Sequence, residues 1–229
     1  MPSEDYPRYF PLGDSAITVE FGNVISARIN AEAIALGVYM DKHPFYGYVE
    51  SVPAYASTTI FYDPMAVRSD SAPEFTTAFE AVKQKMIAAV QNLQVRDPID
   101  LEPIAIPVDF SARAGLDLEL ISASSDMTVD EVITAFVDRI YRVYMLGFLP
   151  GFAYMGEVDE RIATPRKSVP RKAVPKGSVG IAGLQTGIYS LTSPGGWQIV
   201  GCTDMEIFCP ESDDPCLLRP GDSVLFVRN

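Results

Sequence analysis

Residues 177–202 read GSVGIAGLQTGIYSLTSPGGWQIVGC. Short apolar runs alternate here with Gly, Pro, Ser and Thr, a texture too broken for helices and suited to strands joined by tight turns. The same texture spreads outward, to GFLPGF at 147–152, EIF at 206–208 and DSVLFV at 222–227. Many short strands separated by turn residues predict a closed or nearly closed β-barrel from about Tyr141 onward.

Upstream the patterning changes. Residues 16–22 (AITVEFG) alternate as a strand should, and Ile29, Ala33, Leu36 and Met40 recur at helical spacing between Ser26 and Asp41. Strands are expected around Tyr48–Ala54 and Ser57–Tyr62. Ser71 with Glu74 has the form of a capping box, with Pro73 in the first turn, opening a helix whose Phe75, Phe79, Val82, Met86, Val90 and Leu93 share one face. Strand, helix, two strands and helix make a small α/β sandwich over residues 1–96. Past a linker at Arg96-Asp97-Pro98, a strand is expected at Leu101–Val108. Short helices should follow at Leu116–Ala123 and Thr128–Val137, the second with a Thr128–Glu131 capping box. The fold class is therefore α+β, a sandwich domain followed by a barrel domain at 97–229.

At 48% hydrophobic and 21% charged, the 229 residues have an ordinary globular composition. No apolar run reaches the ~18 residues of a membrane span, and MPSEDYPRYF lacks the basic and apolar regions of a signal peptide. A cytoplasmic location is the expectation. A net charge of −12 argues against nucleic acid as a partner. Yet between Arg139 and Lys176 eight Lys and Arg face three acids, a cationic island in an acidic chain. It suits either a small carboxylate or phosphate or an acidic partner surface. Cys202, Cys209 and Cys216 lack the close pairing of a zinc site, and His43 is the lone histidine, so neither a metal nor a Ser-His-Asp triad is expected. His43 is expected to contact the C-terminal end of a helix. No Walker A sequence occurs.

Several motifs are ordered along the chain: Pro11–Ala16 (PLGDSA), Gly147–Tyr154 (GFLPGFAY), Pro165-Arg166 with Pro170-Arg171, Gly177–Val179 (GSV), Ile181–Tyr189 (IAGLQTGIY), Ser193–Gln198 (SPGGWQ) with Gly201, and Pro220–Asp222 (PGD). Together they resemble those of the KipI/PxpB family, also called allophanate hydrolase subunit 1. The resemblance implies a cyclophilin-like barrel in the C-terminal domain. It also implies a subunit that works with a homologous PxpC/KipA-type subunit and a PxpA-type protein. Such assemblies form an ATP-dependent 5-oxoprolinase, which opens a lactam to glutamate. The same family implies two alternatives: inhibition of a sensor histidine kinase, or half of the carboxyltransferase of a biotin-dependent urea carboxylase. ATP is thus the implied cofactor, at a site shared with or carried by a partner, and biotin belongs only to the carboxylase alternative. Four positions depart from the family: Phe136 stands where many members have His, Cys202 where a basic residue is common, Ser190 for a frequent Pro, and Lys176 for a small residue.

The residues themselves carry plausible chemistry. Arg166 and Arg171 can bind a carboxylate or phosphate bidentately, or serve an interface. Gln185 can read an amide and Tyr189 can position or protonate a developing charge, unless strand alternation turns them into the barrel. These four are the candidate catalytic residues. Gly147, Phe148, Pro150, Gly151, Phe152, Pro194, Gly195, Gly196 and Trp197 are candidate substrate contacts. The glycines can admit a ligand to backbone amides, or simply make turns. Trp197, the single tryptophan, is either a flat wall for a ligand or partner, or core.

Overall fold

A strand late in the chain and one near its middle close a barrel in the computed structural model, which describes residues 6–95 and 102–229. The chain divides into two compact units, Met1–Asp100 and Leu101–Asn229. The linker expected at Arg96-Asp97-Pro98 lies outside the described residues.

In the first unit the elements run β1 (Arg8–Pro11), β2 (Ala16–Glu20), α1 (Ala27–Lys42), β3 (Tyr48–Pro53), β4 (Ser57–Tyr62), α2 (Pro64–Asp70) and α3 (Ala78–Gln91). An antiparallel sheet of order β1-β2-β4-β3 turns Ile17, Val19, Ile60 and Tyr62 toward Leu36 and Met40 of α1 and Val82 and Met86 of α3. His43 caps α1, its ring nitrogen 3.0 Å from the Tyr39 carbonyl. One expectation needs correcting. The capping box of α3 is Thr77 with Glu80, not Ser71 with Glu74. Asp63 accepts from the Met65 and Ala66 amides at 2.8 and 3.1 Å, which starts the extra helix α2 at Pro64. Ser71 is drawn to its end, donating to the Val67 carbonyl at 2.6 Å.

The second unit continues with β5 (Ile104–Val108), α4 (Leu118–Ser125), α5 (Val129–Val137), β6 (Ile140–Leu146), β7 (Ala153–Gly156), β8 (Arg171–Val174), β9 (Ser178–Ala182), β10 (Gln185–Ile188), β11 (Ser193–Gly195), β12 (Gln198–Cys202) and β13 (Ser223–Arg228). Thr128 and Glu131 form the expected capping box on α5. Seven strands pair in the order β12-β9-β10-β7-β6-β13-β5, with β8 and β11 in a separate ribbon. Every neighbouring pair is antiparallel except β13 and β5. The two edges then meet. Asp109 donates its amide to the Cys202 carbonyl at 2.8 Å and accepts from the Cys202 amide at 3.0 Å, closing the sheet on itself.

Inside the barrel lie Val143, Met155, Val179, Ile181, Ile188, Val200, Val224 and Phe226, joined by Leu118 and Ile121 of α4 and Val132 and Phe136 of α5. Phe136, the family departure, is fully buried and stacks on Phe226 with centroids 5.0 Å apart. Its position is a packing position.

Gly201 makes the seam possible. A Cβ there would lie 2.5 Å from Val108 and 2.8 Å from the Asp109 carbonyl oxygen. Because one obstacle is backbone, relaxation requires the strands to part. Gly201→Ala is expected to cost about 1–3 kcal/mol in urea unfolding and to speed amide exchange at Asp109 and Cys202. Unchanged stability and exchange would show that the seam does not hold the barrel closed.

Candidate functional site

The motif segments 147–154, 165–171, 181–189 and 193–198 meet on the outer face of the strands β7, β10, β9 and β12. Alternation along β10 decides which side chains reach it. Ile188 points into the barrel core and the Thr186 hydroxyl bonds the Gly180 carbonyl at 2.9 Å, leaving Gln185, Gly187 and Tyr189 to the other face. At Gly187 a Cβ would come within 2.8 Å of the Phe152 ring, so glycine lets that ring pack directly against the strand.

Phe152 is the hub of an aromatic cluster. Its ring meets Tyr154 at 4.9 Å, Trp197 at 5.4 Å and Tyr189 at 5.5 Å, all near edge-to-face. Trp197 and Tyr189 are 5% and 1% exposed, so both are packed floor and neither is an open wall. Gly195 is required beneath: any side chain there would collide with the Tyr189 hydroxyl. Burial pushes the Tyr189 phenol up, only partly offset by a backbone hydrogen bond from Trp197 and by Arg166 and Arg171 nearby. Phe148 alone is open, 59% exposed, and stands at right angles to Phe152 at 5.4 Å. It holds φ = +69°, a strained conformation for an aromatic residue.

The loop carrying Phe148 closes on itself. Gly147 donates to the Phe152 carbonyl at 3.1 Å, Leu149 to Gly147 at 2.8 Å, and Phe152 to Leu149 at 3.0 Å. Those amides are therefore engaged within the turn rather than presented to a ligand. Gly151 has φ = +74°, and a Cβ there would lie 2.8 Å from Phe208. Ser190, buried, donates to the Pro150 carbonyl at 2.6 Å. Gly147, Pro150 and Gly151 thus shape the loop.

A strap from Pro165 to Arg171 borders the cluster. Lys167 donates its amide to the Gly196 carbonyl at 2.7 Å, and the Gln198 side chain donates to the Pro165 carbonyl at 2.9 Å. Arg166 lies exposed over the Trp197 ring, its guanidinium 5.8 Å from the centroid. Lys167 and Arg171 turn inward to one carboxylate. Asp117, 4% exposed, accepts from Lys167 Nζ at 3.0 Å and Arg171 Nη2 at 2.7 Å on the same oxygen. Its second oxygen accepts from the Ile199 amide at 2.6 Å. Burial by itself would raise the Asp117 carboxyl. Hydrogen bonds from Arg171, Ile199 and Lys167 outweigh it and hold the group below the usual carboxylate range.

The structure thus gathers Arg166, Arg171, Tyr189, Phe148, Phe152, Gly195, Gly196 and Trp197, with exposed Pro194 in the adjoining ribbon. Gln185 is not brought in. It lies four residues down the strand from Tyr189, roughly 13 Å away, paired with Gly156 and Ala182. Asp117 escapes a reading of the sequence because it sits inside the predicted helix Leu116–Ala123, where a polar residue draws no notice. The unbalanced cations downstream are the one signal that a buried acid must answer them.

A cavity of about 570 Å³ lies elsewhere, at the barrel seam, and is lined by Asp109, Arg113, Cys202 and Asp204 among others. It holds none of the candidate residues. The Cys202 thiol in its wall is pushed up by burial and by Asp204 and Asp109, the opposite of a reactive thiolate.

Residues 7–218 match the family described as carboxyltransferase domain, subdomain C and D. The chain belongs to this family. A 5-oxoprolinase subunit from Bacillus subtilis is 41% identical over 95% of this chain and 90% of its own length. The corresponding 5-oxoprolinase subunit from Escherichia coli O157:H7 is 47% identical over 56% of this chain and 60% of its own length. The solved structure of TTHA0988 superposes with a TM-score of 0.79 at 32% identity, over 93% of this chain. This chain spans 40% of that one. These findings bear out the resemblance to the KipI/PxpB family. Among the described residues no helix is long and apolar enough to cross a membrane.

Because the folded Asp117 carboxyl titrates below its unfolded value, it contributes stability that is present above about pH 4 and lost as pH falls through the folded value. Asp117→Asn should therefore lower stability at pH 7 by about 1–3 kcal/mol, since Lys167 and Arg171 lose their countercharge but keep some water contact. The gap to the native protein should narrow below pH 4. A gap that stays constant down to pH 3 would contradict the assigned ion pairs.

Proposed function

We propose that this chain is one subunit of an ATP-dependent 5-oxoprolinase, acting with a homologous PxpC/KipA-type subunit and a PxpA-type protein. The observation that carries this reading is the strap Arg166–Arg171, held as a cationic rim on an aromatic floor, in a chain 41% identical to a relative named as a 5-oxoprolinase subunit. 5-Oxoproline is a small ring with one carboxylate, and opening its amide develops negative charge on the carbonyl oxygen. A rim of three cations answered by one buried carboxylate leaves positive potential for such a ligand.

In this reading Arg166 takes the substrate carboxylate, as the strap cation with no carboxylate partner among the described residues. Arg171 and Lys167 add positive potential from behind it, and Phe148 covers the ring from the solvent side. Tyr189 and Trp197 set the floor. The site fits one small anion. It has no glycine-rich phosphate loop, and its aromatic faces are packed against one another instead of open to a purine, so the nucleotide is assigned to the partner side. A half-site of this kind supports the reading that the chain acts in an assembly.

Reconstitution with the PxpC- and PxpA-type proteins tests the proposal through 5-oxoproline-dependent ATP hydrolysis. Arg166→Ala should raise the KM for 5-oxoproline by about tenfold to a hundredfold, the worth of a charge-assisted hydrogen bond. Arg171→Ala should also depress turnover, with the complex intact by gel filtration. Normal kinetics in both variants would refute this site, and absence of any 5-oxoproline-dependent hydrolysis by the native assembly would refute the activity.

A further inference from the structure

We infer that Asp117 is a positioning residue for the reaction, fixing the cationic strap rather than merely stabilising the barrel; this rests on the function proposed above. Three segments far apart in sequence converge on its side chain. Lys167 and Arg171 reach one carboxylate oxygen from the strap, and the Ile199 amide of β12 reaches the other. The Asp117 amide in turn donates to the Ile199 carbonyl at 2.9 Å, so the residue grips β12 through both its backbone and its side chain. Arg171 also approaches the Trp197 carbonyl at 3.5 Å.

The two cationic nitrogens share an oxygen and so lie within about 6 Å of each other, where like charges repel. Only a carboxylate between them holds both in place. Without it they would swing toward water, as exposed lysines and arginines do. Both are about three-quarters buried as placed, 25% and 23% exposed, and so retain a face toward solvent and ligand. Asp117 also takes up one of the positive charges. The rim then attracts a singly charged substrate without binding every available anion equally well.

Asp117→Asn separates this role from a structural one. The amide oxygen can still accept from Ile199, so the grip on β12 survives while the countercharge to the strap is lost. If Asp117 positions the strap, the variant raises the KM for 5-oxoproline at least tenfold and leaves the KM for ATP and the affinity for the partner subunit unchanged. The triple variant Asp117→Asn/Lys167→Ala/Arg171→Ala should be no worse than Lys167→Ala/Arg171→Ala, because the first change acts through those two residues. Native-like kinetics in Asp117→Asn, or full additivity in the triple variant, would overturn the inference even where Arg166→Ala and Arg171→Ala sustain the proposed function. Should Asp117→Asn not fold, the native protein decides the matter by NMR. Hindered rotation of the Arg171 guanidinium is expected near neutral pH, and free rotation sinks the idea.

Discussion

One buried carboxylate organises the barrel's outer face. Asp117 is almost sealed from water and would be costly there if unpaired, so its surroundings must supply donors. Two come from a strap and one from a strand, and each arrives with its own segment of chain. Remove that charge and the strap keeps its backbone bonds but loses the tie that holds its two cationic side chains inward. What remains is the cation over Trp197 and the bonds to the Gly196 carbonyl and from the Gln198 side chain.

The barrel provides the rigid surface on which this happens. Its closure depends on a backbone pair between Asp109 and Cys202 and on the missing side chain at Gly201. Closure fixes which face of β9, β10 and β12 is core and which is site. Glycines then act twice at the outer face: Gly187 lets Phe152 settle on the strand, and Gly195 leaves room for the Tyr189 hydroxyl. The candidate site is therefore made by the absence of side chains as much as by their presence. Phe148, strained and open, is the one aromatic ring that this packing leaves for another molecule.

Much of this is legible in the sequence, for identifiable reasons. Barrel strands are readable because turn residues punctuate them closely, and the Thr128–Glu131 cap because both partners lie within four residues. The Ser71–Glu74 pattern misleads because Asp63-Pro64, just upstream, starts its own helix and claims Ser71 at its end. Motif residues can be named, but not which of them are floor and which are open, since that depends on strand register. Asp117 is invisible because its partners lie 50 and 54 residues away and only folding brings them together. Likewise the engaged amides of the 147–152 turn cannot be told from free ones without knowing the turn's internal bonds.

Trp197 offers the most direct test of the central claim, that the cationic strap and the aromatic cluster form one substrate site on the barrel's outer face. It is the only tryptophan in the chain, so fluorotryptophan labelling of this subunit yields a single fluorine resonance. In the assembly with its partner subunits, saturating 5-oxoproline should shift that resonance, because Arg166 lies over the ring and the proposed function has it turn to the substrate carboxylate. A resonance that stays fixed while the assembly turns over substrate would place the chemistry elsewhere and contradict the account.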